Sequence, residues 1–217
     1  MNKFLVKTSA RTGSHLLYSY LVSTGLTGYH TDFQMYEGHR GRLDKHNRPL
    51  LTNGTYLNYQ NDNVVIHDHT NWLPSDTENW HIIFTKRLDT IKQTISFLWA
   101  EHTSEYVVTG VANKNYSYTN KTYEPIELDL ETTLQRHTFR TRTWERDLEK
   151  TFLQGNWKKA DILYLETFLK KTPQTVAAYL GIPQIDFSWD SQKNPRDVEK
   201  YIINYSEVYN FLEQNRL

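Results

Sequence analysis

The chain has 217 residues, enough for one domain with a sizeable core and short for two. Its 25 basic and 25 acidic side chains cancel, so no overall field draws it to nucleic acid or an anionic membrane, and any anion site must be local. It has no cysteine, which excludes disulfides, thiol nucleophiles and Cys-ligated zinc and accords with a reducing compartment. Only a short apolar stretch precedes Lys7, and no run approaches membrane-spanning length. A soluble, cytoplasmic protein without nucleic-acid or membrane partners is therefore expected.

Apolar runs alternate with amphipathic stretches, which predicts an α/β protein with a mostly parallel sheet. The first strand is read from Lys3 to Thr8. A small-residue turn, Ser9-Ala10-Arg11-Thr12-Gly13-Ser14-His15, then leads into a helix-like stretch from Leu16 that stops at Gly25. Such a turn aims backbone N–H groups and the positive end of a helix dipole at one spot, with Arg11 as its cation, and so suits a phosphate or sulfate group. Glu37 to Asn61 is rich in Gly, Asn, His and Arg and reads as a long loop or a lid.

Strands follow at Asn63 to His67 and Trp80 to Thr85. Thr90 and Gln93 have capping-box spacing and open a helix to about His102, with Ile91, Ile95, Leu98 and Trp99 on one face and Lys92 and Ser96 on another. Tyr106 to Lys159 mixes aromatic and charged residues, and its later half, Leu128 to Phe152, reads as helical. A fourth strand covers Asp161 to Leu165. Thr172-Pro173 then caps a helix with Val176, Tyr179 and Leu180 as its apolar stripe, stopped by Gly181 and Pro183. No repeat or low-complexity linker divides the chain, so residues 1–217 are expected to form a single domain.

The turn after the first strand lacks both the first glycine and the lysine of a Walker A loop. Arg11-Thr12-Gly13-Ser14 instead resembles the Arg-Ser-Gly-Ser loop of sulfotransferases that use 3′-phosphoadenosine 5′-phosphosulfate (PAPS). Ile82 to Asp89 followed by Gln93 to Ala100 is similar to the strand and helix of that family in which an arginine and a serine grip the 3′-phosphate. Two later blocks, Tyr164 to Pro183 and Gln192 to Val208, resemble the late strand, helix and carboxyl-terminal segment of such enzymes. Thr24-Gly25-Leu26-Thr27-Gly28 adds a likeness to the bacterial trehalose-sulfotransferase type.

The resemblance implies a three-layer α/β/α, P-loop-like sulfotransferase fold. It implies transfer of a sulfuryl group from PAPS to a hydroxyl of a small-molecule or carbohydrate acceptor, leaving adenosine 3′,5′-bisphosphate (PAP). Arg11, Thr12, Gly13, Ser14 and His15 would wrap the 5′-phosphosulfate, Arg87 and Ser96 would hold the 3′-phosphate, and Lys193 would add a donor contact. For the base the resemblance gives two positions. Asp32 in Gly28-Tyr29-His30-Thr31-Asp32-Phe33 matches the trehalose type, whereas Val65-Ile66-His67-Asp68-His69 matches the cytosolic Val-Ile-Lys-Thr-His segment, with His69 on its histidine and His67 in place of its lysine. On a strand His67 and His69 share a face and Asp68 does not. Two histidines without a third ligand do not make a zinc site, so no metal is expected. A P-loop nucleotide kinase, or an inactive nucleotide- or sugar-binding relative, stands as the alternative.

Overall fold

The computed structural model describes residues 2–8, 13–31, 48, 49, 51, 55–59, 63–68, 70, 72–103, 123–187 and 198–215. The strands are β1 (Asn2–Thr8), β2 (Thr27–His30), β3 (Asn63–Asp68), β4 (Trp80–Lys86) and β5 (Lys159–Tyr164). They form one five-stranded sheet in the order β2-β3-β1-β4-β5, parallel at every pairing. The helices are α1 (Ser14–Ser23), α2 (Thr90–Thr103), α3 (Leu130–Thr138), α4 (Glu145–Gln154), α5 (Leu165–Phe168), α6 (Pro173–Leu180) and α7 (Tyr205–Gln214). The predicted α/β architecture with a parallel sheet is what the chain adopts.

Central strands carry apolar side chains on both faces because both faces are covered. Phe4, Val6, Val65 and Ile83 point to one face, where Leu17, Tyr20 and Leu21 of α1 and Val176, Ala177 and Leu180 of α6 pack on them. Leu5, Val64, Ile66, Ile82 and Phe84 point to the other, against Trp72, Trp80, Phe97 of α2 and Phe152 of α4. A further cluster joins Ile91, Ile95 and Trp99 of α2 to Val208 and Leu212 of α7. The sheet is thus flanked by helices on both faces, in three layers.

Local departures from the sequence reading have physical causes. β2 was not among the predicted strands: Thr27-Gly28-Tyr29-His30 lacks an apolar alternation and becomes a strand by pairing with β3. Gly28 fits there because a Cβ would lie 2.5 Å from Tyr18 Oη and 2.6 Å from Val22 Cγ2. α2 is capped by Asp89, whose carboxylate accepts from the Lys92 N–H at 2.8 Å, in place of the expected Thr90. Tyr179, expected in the apolar stripe of α6, is 53% exposed, and Ala177 takes its place inside. Thr172 does cap α6, accepting from the Thr175 N–H, and Gly181 ends it in the left-handed region at φ 68°. The helical reading over Leu128 to Phe152 resolves into α3 and α4 joined by a π-helical turn, Phe139–Trp144. Leu165, read as the end of the fourth strand, instead opens α5.

Candidate functional site

The connection leaving β1 heads toward β2, whereas the one leaving β4 heads toward β5 on the other side of the sheet. Because β1 and β4 are neighbours while the strands that follow them lie on opposite sides, the carboxyl ends of β1 and β4 form the topological switch point of the sheet, the usual ligand position in an open parallel sheet. Gly13 follows β1 on one bank. It is the N-cap of α1 at φ 78°, and its carbonyl accepts from the N–H groups of Leu16 and Leu17 at 3.0 and 3.2 Å. Ser14 and His15 form the first turn, with Ser14 buried and His15 half-buried. A Cβ at position 13 would lie 2.2 Å from Leu165 Cδ1, so glycine is required both by the left-handed backbone and by the packing of α5.

Arg87 follows β4 on the other bank. Its Nε–H donates to Glu166 Oε1 at 3.2 Å, and the second oxygen of the same carboxylate accepts from the Leu88 N–H at 3.0 Å. Burial works against the Glu166 carboxylate, yet the Leu88 N–H and the Arg87 guanidinium outweigh it and hold its pKa below the ordinary glutamate value. With Nε engaged, the two Nη groups of Arg87 remain as the fork that can grip a phosphate. Ser96 lies half-buried in α2. The sites read near the amino terminus and near position 87 are therefore linked through consecutive residues, since Leu165 packs on Gly13 and Glu166 binds Arg87. Arg11, Thr12, Asp32, His69 and Lys193 lie outside the described residues.

Beside this switch point, on the α1 face of β2 and β3, three histidines meet. His30 ends β2 and pairs in register with His67 of β3, and His15 comes down from α1. The ring centroids of His15 and His30 are 4.7 Å apart, and each lies 4.4 Å from that of His67. Tyr18, one turn along α1, closes the group at 5.6 Å from His67 and 5.9 Å from His30, and burial pushes its phenol up to about 12. One nitrogen of each histidine lies within 4.8 Å of the others. His67 thus has two imidazoles from other elements beside it, and the ligand count that argued against a metal no longer holds. Burial pushes the His30 imidazole below its ordinary value, against the opposing Thr31 carbonyl and the Asp68 charge.

On the opposite face of the sheet a buried lysine, Lys7 of β1, sits beside Asp68, the residue after His67 in β3, and is satisfied within the chain. Lys7 Nζ donates to the Asp68 carboxylate and, at 2.7 Å each, to the carbonyls of Thr70 and Trp72. Thr70 Oγ1 donates to Asp68 and accepts from the Trp72 N–H at 3.0 Å. Burial pushes the Lys7 ammonium down, with Asp68 opposing. At the amino edge of the sheet His81 meets the Asp161 carboxylate, which also accepts from Tyr179 and lies 3.3 Å from Lys159 Nζ.

Sequence reasoning missed Lys7, His30 as a partner of His67, and Glu166. Lys7 was hidden by the expectation that a lysine faces water. His30 could be found only by recognising β2, since strand register is what sets it opposite His67. Among the described residues no helix is long and apolar enough to cross a membrane. Comparison with protein-family models and with curated protein sequences gives no match.

Proposed function

We propose that the chain is a PAPS-dependent sulfotransferase that moves a sulfuryl group to a hydroxyl of a small-molecule or carbohydrate acceptor. One observation carries this reading beyond the motifs: Gly13 and Arg87, far apart in the chain, flank the same pair, Leu165 and Glu166, above adjacent strands where the sheet's connections diverge. A doubly phosphorylated nucleoside needs two anion sites at fixed separation, and these two banks supply them. The P-loop-like form of the three-layer fold and a cytoplasmic location belong to the same reading.

The reaction is an in-line displacement in which positioning and charge stabilisation dominate. The acceptor oxygen forms its bond to sulfur as the bridging S–O bond breaks, and the electron pair of that bond goes to the 5′-phosphate of departing PAP. Arg11 and the amides of Thr12 to His15 stabilise the growing charge. The Nη groups of Arg87, with Ser96, hold the 3′-phosphate, and Glu166 positions Arg87 from its Nε side. The acceptor's proton passes to Asp32 or His69, and Lys193 adds a contact to the donor. Nothing among the described residues favours the kinase reading, because Lys7, the lysine nearest the loop in sequence, is held by Asp68 and two carbonyls on the far face of β1.

Titration calorimetry tests the reading. PAP is expected to bind far more tightly than ADP, and Arg87→Ala is expected to weaken PAP by about 10- to 100-fold, the worth of a charge-assisted hydrogen bond. Equal or reversed preference between PAP and ADP overturns it.

A further inference from the structure

We propose that His15, His30 and His67 form a binding site for one divalent transition-metal ion of the zinc class, with a position left open for water or an oxyanion. The three side chains come from three elements, the first turn of α1, the end of β2 and the end of β3, and converge with one ligand nitrogen each inside a 4.8 Å span. His15 Nε2 and His30 Nε2 are 3.4 Å apart. Two ligands at Zn–N distances of about 2.0–2.1 Å and a tetrahedral angle stand about 3.4 Å from each other, so this pair already has the spacing of two corners of a zinc tetrahedron.

The orientation of His30 supports the same reading independently. Its Nδ1 lies 2.9 Å from the Thr31 carbonyl oxygen, which can only accept, so Nδ1 carries the proton and Nε2 presents its lone pair to the other rings. A metal-bound histidine is usually fixed in this way, with its second nitrogen donating to a backbone carbonyl that sets the tautomer and steadies the ring.

Donor chemistry narrows the ion. The chain has no cysteine, and no carboxylate belongs to the cluster among the described residues. An all-imidazole set suits zinc, copper, nickel or iron better than magnesium or calcium, which take oxygen ligands. Three neutral ligands leave the full double charge on the ion, and a three-histidine zinc site keeps its fourth position for an exogenous oxygen. Because His15 lies two residues after Gly13, the site belongs to the same carboxyl edge of the sheet as the start of α1. The inference does not depend on the sulfotransferase reading.

The test uses the untagged full chain, stripped with EDTA and titrated with ZnCl2 by calorimetry and with CoCl2 by visible absorption. One equivalent is expected to bind at micromolar or tighter affinity, with cobalt giving the intense bands of a four-coordinate ion. His15→Ala and His30→Gln are each expected to weaken zinc by at least about tenfold, while His102→Ala, on the exposed side of α2, leaves it unchanged. Circular dichroism shows whether the variants are folded, and cobalt spectra of the wild type stand without them. Absence of stoichiometric binding to the wild type overturns the proposal, and so does binding that both variants retain in full. PAP titration of the metal-free protein is read separately, so either reading can fail while the other stands.

Discussion

His67 and Asp68 are neighbours in β3 and meet opposite fates. Asp68 points to the α2 face, where Lys7, Thr70 and Trp72 close around it until every strong group has a partner from the chain itself. His67 points to the α1 face, where it meets two more imidazoles and a tyrosine ring. The first arrangement is an ion pair whose geometry leaves nothing to add, and its role is to fix the turn after β3 against the end of β1. The second gathers three imidazole nitrogens at one spot, an arrangement that has little worth for folding and suits a ligand. Alternation of side chains along a strand thus puts an anchor and a candidate site back to back on one strand end.

The largest test of this contrast is Lys7→Ala. It leaves Asp68 buried without its cation and is expected to cost about 3–5 kcal/mol in urea unfolding, whereas His15→Ala on the other face should cost under about 1 kcal/mol. Similar losses for the two would erase the distinction between anchor and site.

Next in size is Gly13→Ala, which sharpens the boundary of the open side. A methyl at φ 78° and 2.2 Å from Leu165 Cδ1 is expected to cost about 1–3 kcal/mol and to displace α5, loosening Glu166 from Arg87. Denaturation measures the first effect and PAP titration the second. A variant matching wild type in both would mean that the two banks are not mechanically joined.

The smallest effect concerns acid. Glu166 has a folded-state pKa below its unfolded value, so its contribution to stability is present above the ordinary glutamate value of 4.5 and is lost as pH falls through the folded value. For a half-exposed pair this amounts to under about 1 kcal/mol. Glu166→Gln should flatten the stability profile only below about pH 5. A change near neutrality would assign the loss to another group.

Much of the frame was legible in the sequence because its causes are local. The four apolar strands, the Thr172 cap, the Gly181 stop and the Gly25 turn each follow from a few consecutive residues. Gly13, Ser14 and His15 could be read as a loop and helix start for the same reason. Arg87 was legible as a cation after a strand, while its hold on Glu166 was not, since 79 positions separate the two. Lys7 was illegible because composition gives no warning of a buried lysine, and only three acceptors arriving from positions 68 to 72 make its burial tolerable.

What the sequence determined by itself is periodicity and punctuation: where the chain can extend, coil and turn, and that its strands would form a mostly parallel sheet. Tertiary structure alone decided which strands are neighbours and in what register. That register set His30 opposite His67 and brought Leu165 and Glu166 between Gly13 and Arg87. The reason is physical. Backbone pairing across a parallel sheet satisfies N–H and C=O groups without regard to side-chain chemistry, so the meeting of functional groups is fixed by global packing and leaves no short-range mark in the chain.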